Sequence, residues 1–186
     1  MSASAVPSAL ECHRASARGA VRALTVSARR LARRRLAVTF ELDAELARLR
    51  LPEVEPPRRA HELWLHSCFE VFVRVAAEPR YLEFNFAPSR AWAVYRFAAR
   101  REAMAVVAEA IAPRILVRRA PARLTLAASV SIGELLGGGA GPLRLQLAAA
   151  AVLEDDNGRL SYWALRHPPG KPDFHHPDGF VLELDL

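Results

Sequence analysis

Cys68-Phe69-Glu70-Val71-Phe72-Val73-Arg74-Val75, then Tyr81-Leu82-Glu83-Phe84-Asn85-Phe86, then Trp92-Ala93-Val94-Tyr95-Arg96-Phe97, is the stretch that decides the fold. In the first run Phe69, Val71, Val73 and Val75 share one side, and Cys68, Glu70, Phe72 and Arg74 the other. In the second, Leu82, Phe84 and Phe86 oppose Tyr81, Glu83 and Asn85; in the third, Trp92, Val94 and Arg96 oppose Ala93, Tyr95 and Phe97. Alternation with a period of two marks half-buried strands, because successive side chains of a strand point to opposite faces of its sheet. With the turn residues Glu78-Pro79 and Ala87-Pro88-Ser89 between them, the three runs read as an antiparallel meander.

Outward from that block, further strands are expected at Ala9–His13, Ala20–Ala28, Leu36–Leu42, Arg114–Arg119, Leu124–Ser131, Leu143–Leu153, Ser161–Arg166 and Phe180–Leu184. Asp155-Asp156-Asn157-Gly158 separates two of them, and Asn-Gly is a strong hairpin signal; Gly137–Pro142 supplies another turn. Helical signal is confined to Glu102–Ala110, stopped by Pro113, and one turn at Ile132–Leu136; the proline-rich 50–59 region reads as a loop. Short strands about ten residues apart predict an all-β fold, an antiparallel β-sandwich of jelly-roll-like form, with at most one or two short helical turns. Residues 1–186 are expected to form a single domain, with 1–8 disordered.

Composition narrows the function classes. Hydrophobic residues make up 52% of the 186, which excludes wholesale disorder, and no apolar run is long enough to span a bilayer as a helix. Two cysteines, Cys12 and Cys68, cannot build a disulfide framework, and the N-terminus shows no signal-peptide core, so a cytoplasmic location is expected. The formal charge of +6 resides in residues 1–60, which hold 12 Arg and 6 acids, densest over Arg29–Arg35. The chain has 25 Arg and one Lys, Lys171, so this cluster reads as compositional drift on a solvated turn; nucleic acid is not the expected partner. It also lacks the aromatic platforms that single strands stack on.

The alternation suggests a polar–aromatic sheet face: Glu70 from the first strand, Tyr81, Glu83 and Asn85 from the second, Trp92 and Arg96 from the third. Carboxylates, an amide, a guanidinium and aromatic rings suit a sugar-like small ligand, with Glu70, Asn85 and Arg96 hydrogen-bonding and Trp92 and Trp163 stacking. The plainer alternative is a solvated face of cross-strand Glu–Arg pairs. Asp173, His175 and His176 have metal-ligand chemistry but match no established spacing, so no metal is assigned. Haem could attach only non-covalently, through a His and Met104, and no cofactor is expected. No nucleophile–base pair, G-x-S-x-G or phosphate-cradling loop appears, so a non-catalytic binding domain is expected. A protein-binding scaffold, through the Arg29–Arg35 region, is the third alternative.

The stretch Leu63-Trp64-Leu65-His66-Ser67-Cys68-Phe69-Glu70-Val71-Phe72, with Tyr81–Ser89, Trp92–Phe97, Ser161–Leu165, His167-Pro168 and Pro172–His175, resembles bacterial DOMON-like domains. Those are related to the family-nine carbohydrate-binding modules and to haem- or sugar-binding DOMON domains. The resemblance implies a jelly-roll sandwich with the ligand against one sheet, and adds weight to Glu70, Asn85, Trp92 and Arg96. The chain departs from that pattern after Phe97, where Ala99-Arg100-Arg101 stands in place of the group's Tyr-Arg pair.

Overall fold

The alternating runs form strands whose apolar sides meet. The computed structural model describes residues 6–32, 34–108, 110, 112–133, 135–136 and 143–185. In chain order the strands are β1 (Ser8–Ala9), β2 (Glu11–Cys12), β3 (Val21–Leu31), β4 (Arg35–Ala44), β5 (Arg58–Arg59), β6 (Cys68–Val75) and β7 (Tyr81–Phe86). They continue with β8 (Ala91–Phe97), β9 (Ala105–Val106), β10 (Arg114–Ala120), β11 (Arg123–Ser131), β12 (Arg144–Glu154), β13 (Leu160–Ala164) and β14 (Leu182–Asp185). The first sheet runs β1-β3-β4-β11-β10, and the second β2-β13-β12-β6-β7-β8-β5, with β14 beside β12 and β9 beside β8. All pairings are antiparallel except β5 with β8.

The inner faces build one core. Leu36, Val38, Phe40 and Leu42 of β4 and Leu124 and Leu126 of β11 pack with Phe69, Val71, Phe84 and Phe86 of the second sheet. Burial of each such side chain is worth about 1.5–3 kcal/mol, so the two alternating patterns lock the sheets face to face. The all-β expectation holds, as an antiparallel β-sandwich.

Several local expectations change. Among the described residues of Glu102–Ala110 there is no helix: Arg101 and Ala103 adopt positive φ (57° and 49°), and Ala105–Val106 extends to pair with β8. Edge pairing here outweighs the helix propensity of Glu and Ala. The observed helical turns are 3-10 turns at Leu46–Arg48, Leu63–Leu65 and Pro177–Gly179. Ile132–Leu136 closes through the Leu136 N–H to the Ile132 carbonyl, 3.0 Å. Within the expected loop at 50–59, Arg58 and Arg59 form β5, and the Arg59 guanidinium lies 4.3 Å over the Trp92 ring. Ser8, expected within a disordered 1–8, pairs with Val26, while residues 1–5 lie outside the described ones. The Gly137–Pro142 turn also falls outside the described residues.

The Asn-Gly hairpin forms as expected between β12 and β13. Gly158 takes φ 79°, and the Asp155 carboxylate accepts from the Asn157 and Arg159 N–H groups at 2.9 and 2.8 Å. The Arg29–Arg35 cluster straddles the β3–β4 hairpin end, where Arg29 pairs with Ala37 and Arg30 with Leu36.

Topology explains why the second sheet is buried on both faces. Along one edge of β12, β13 pairs with Ala150–Glu154 and β14 with Arg144–Leu147. The intervening 165–181 segment passes over the outer face, where Phe174, His175 and Phe180 pack on Phe72, Tyr81 and Phe97. Small residues beneath it, Ala93, Ala148, Ala150 and Ala164, make room for this cover. Tyr81–Phe86 is consequently buried at every position, against the half-buried strand that alternation predicts.

Candidate functional site

The meander's register decides which side chains can cooperate. Glu70 pairs with Asn85, and Asn85 with Ala93; Phe72 pairs with Glu83, and Glu83 with Tyr95. Glu70, Tyr81, Glu83 and Asn85 therefore share the outer face, as the alternation implies. Trp92 does not join them. It pairs with Phe86, which pairs with Phe69, so Trp92 lies on the inner face and is only 5% exposed. Arg96 has the same parity, opposite Leu82, and points away from the Glu70 face. Trp163 pairs with Ala151, which pairs with Phe69; it is wholly buried in the inter-sheet core, its Nε1–H donating to Ser161 Oγ at 3.0 Å. The expected stacking roles of Trp92 and Trp163, and the hydrogen-bonding role of Arg96, are thus corrected: none of the three is on the polar face.

The cause is the β7–β8 loop. Ala87 donates to the Ala91 carbonyl at 2.8 Å, leaving the three residues 88–90, with Arg90 at φ 76°. A three-residue hairpin loop ending in a left-handed residue places even-numbered residues of the two strands opposite each other. Trp92 thereby aligns with Phe86 and not with Asn85.

A cavity of about 500 Å³ opens on the outer face. Glu70 and Glu83 line it together with Arg101 and His175, and Trp64, Tyr162 and Phe174 supply aromatic wall. Tyr81 and Asn85 stand behind this lining as organisers. The Asn85 amide donates to Glu83 Oε1 at 2.7 Å. Tyr81 Oη accepts from the Arg101 backbone N–H at 3.2 Å and lies 2.8 Å from His175 Nδ1. Tyr81 Oη keeps a proton that it can donate to Nδ1, and His175 Nε2 lies 3.8 Å from Glu83 Oε2.

Burial sets the protonation of this group. It pushes Glu83 up to about 7, against the Asn85 amide and the Arg101 charge. Burial, followed by the charge of Glu83, pushes Glu70 well above the usual carboxylate range, with Arg101 opposing. Burial and then Arg101 bring His175 down to about 4. Burial thus favours the uncharged forms of Glu70, Glu83 and His175. Two buried oxygens there, Glu70 Oε1 and Asn85 Oδ1, have no hydrogen-bond partner among the described residues.

The would-be metal ligands are otherwise engaged. Asp173 binds Arg100 and Arg101, His175 meets Tyr81, and His176 Nδ1 accepts from the Asp178 N–H at 3.3 Å. Among the described residues no three His, Cys, Asp or Glu side chains converge for a metal ion. Met104, the Met of the haem alternative, is 56% exposed at the cavity wall. Cys68 is buried on the floor side of the sheet, and burial raises its thiol well above the ordinary range, which suits an inert packing role.

Among the wall residues not expected at the site are Trp64, Tyr162, Phe174 and Arg101. Tyr162 could have been found from its neighbour, since Trp163 and Tyr162 must face opposite sides; the others sit on irregular segments that carry no periodic signal.

No protein-family model matches the chain, and no curated protein does. Among solved structures it is similar to a Bacteroides uniformis chain described as a "putative carbohydrate-binding protein", with a TM-score of 0.61 at 12% identity over 88% of this chain and 78% of that one. At that identity the likeness is one of fold: two β-sandwiches built the same way.

Proposed function

We propose that the protein is a non-catalytic, DOMON-like carbohydrate-binding domain whose ligand occupies the outer-face cavity of the second sheet. The observation that carries this reading is Glu70, which lines the cavity and whose buried Oε1 has no hydrogen-bond partner among the described residues. A buried polar oxygen without a partner costs about 1–3 kcal/mol, and ligand hydroxyls, which can donate or accept, would remove that cost. Saccharides supply such hydroxyls together with C–H faces, for which Trp64, Tyr162 and Phe174 offer aromatic surface. Glu70 and Glu83 would make the polar contacts, with Asn85 fixing Glu83 and Tyr81 fixing His175. The motif resemblance and the fold shared with the Bacteroides chain support the same reading.

The test is calorimetric titration with a panel of neutral and anionic mono- and disaccharides against the native chain and Glu70→Gln. Binding of a saccharide that weakens at least tenfold in Glu70→Gln supports the assignment. Equal affinity in both proteins moves the site elsewhere, and silence across the panel removes the sugar reading.

A further inference from the structure

Beside the sugar cavity lies a second hollow of about 360 Å³, and the two share Arg101 and Pro172 as a common wall. Arg100, Arg101 and Lys171 line the second hollow, against Asp173 as its acid. With three cations to one anion, the hollow carries an excess charge of +2, next to a floor whose acids burial shifts toward their neutral forms.

The cations are also prearranged. Asp173 Oδ2 accepts from Nε and Nη2 of Arg100, and Oδ1 from Nε and Nη2 of Arg101, at 3.2 and 3.0 Å in the latter case. One carboxylate therefore sets two guanidinium forks side by side, each engaged along a single edge. Arg101 is fixed a second time through its backbone, which donates to Tyr81 Oη from a left-handed conformation at φ 57°. Non-glycine residues adopt that conformation at a cost, and such costs concentrate at binding sites. Pro168, Pro169 and Pro172 stiffen the facing segment, which carries Lys171. In a chain with 25 Arg, the one Lys stands at this spot.

Building on the saccharide reading, we propose that the ligand is an anionic sugar derivative, its ring against Glu70 and Glu83 and its phosphate or carboxylate group in the Arg100–Arg101–Lys171 hollow. Paired guanidiniums suit either oxyanion, since both present oxygens at fork spacing.

Titration of the native chain with hexoses of the gluco, galacto and manno series, their 6-phosphates, their uronic acids and inorganic phosphate tests this. The expected result is at least tenfold tighter binding of a phosphorylated or uronic member than of its neutral parent. The gap should narrow when NaCl rises from about 50 to 500 mM, because partly exposed charges are screened, and again in Lys171→Ala and Arg100→Ala. Which charged series binds identifies the oxyanion. Neutral hexoses binding as tightly as their charged forms overturn this inference and leave the saccharide reading standing. Inorganic phosphate binding as tightly as a sugar phosphate, with neutral hexoses inert, overturns both, as does no binding by any of the four classes.

Discussion

Glu83 is held in a state that costs the fold stability. Its carboxyl titrates near 7 in the folded protein against 4.5 ordinarily, so below about pH 4.5 both states are protonated and nothing is lost. As pH rises toward 7 the unfolded chain releases the proton first, and stability falls by up to about 3 kcal/mol by pH 8. Glu83→Gln, whose oxygen can still accept from Asn85, should therefore be more stable than the native chain at pH 8 and equal to it near pH 4.5, as read by urea unfolding at both values. His175 acts in the opposite sense. Its folded value near 4 lies below the ordinary 6.5, so its contribution is lost as pH falls between those two values. The tryptophans divide in a complementary way. Trp92→Ala should cost about 3–5 kcal/mol, since it empties a core position beneath the Arg59 guanidinium. Trp64→Ala, at the half-buried cavity wall, should weaken saccharide binding with a much smaller loss of stability, and parallel denaturation and titration of the two variants separate these outcomes.

At the scale of elements, turns determine which faces meet. Gly158 stands at φ 79° in the β12–β13 turn, with space for a Cβ 3.5 Å from the Arg50 guanidinium. Gly158→Ala should cost about 1–2 kcal/mol through backbone strain alone, leaving saccharide affinity unchanged, which chemical denaturation and titration would check. That turn is legible because Asn-Gly announces it. The β7–β8 loop is not, because its left-handed position holds Arg90 where a glycine would have signalled the geometry. With aromatic residues on both faces of β8, nothing local distinguishes Trp92-in from Trp92-out. The strands β6 and β7 are readable because Glu70, Glu83 and Asn85 interrupt only one of their faces, and those residues do end up together. The cover at 165–181 has no period to read; its place follows from β13 and β14 sharing one edge of β12. Glu102–Ala110 misleads for a related reason, since its propensity is local and its β8 partner is not.

Across the whole molecule, the sandwich separates stability from recognition. The inner faces supply a continuous core, while the outer face of the second sheet keeps buried acids and oxygens without a partner among the described residues, a cost that the proposed ligand would offset. A saccharide at a hundred times its dissociation constant should add about 2.7 kcal/mol and raise the melting temperature by several degrees, readable by thermal shift. The chain's three tryptophans report on the two regions separately: Trp64 at the cavity wall, Trp92 and Trp163 in the core. A 15N-resolved NMR titration of the three indole N–H signals with a bound saccharide is the most direct measurement of where the ligand lies. The Trp64 signal should move while those of Trp92 and Trp163 hold still. Movement of Trp92 or Trp163 with Trp64 unchanged would contradict the proposed site.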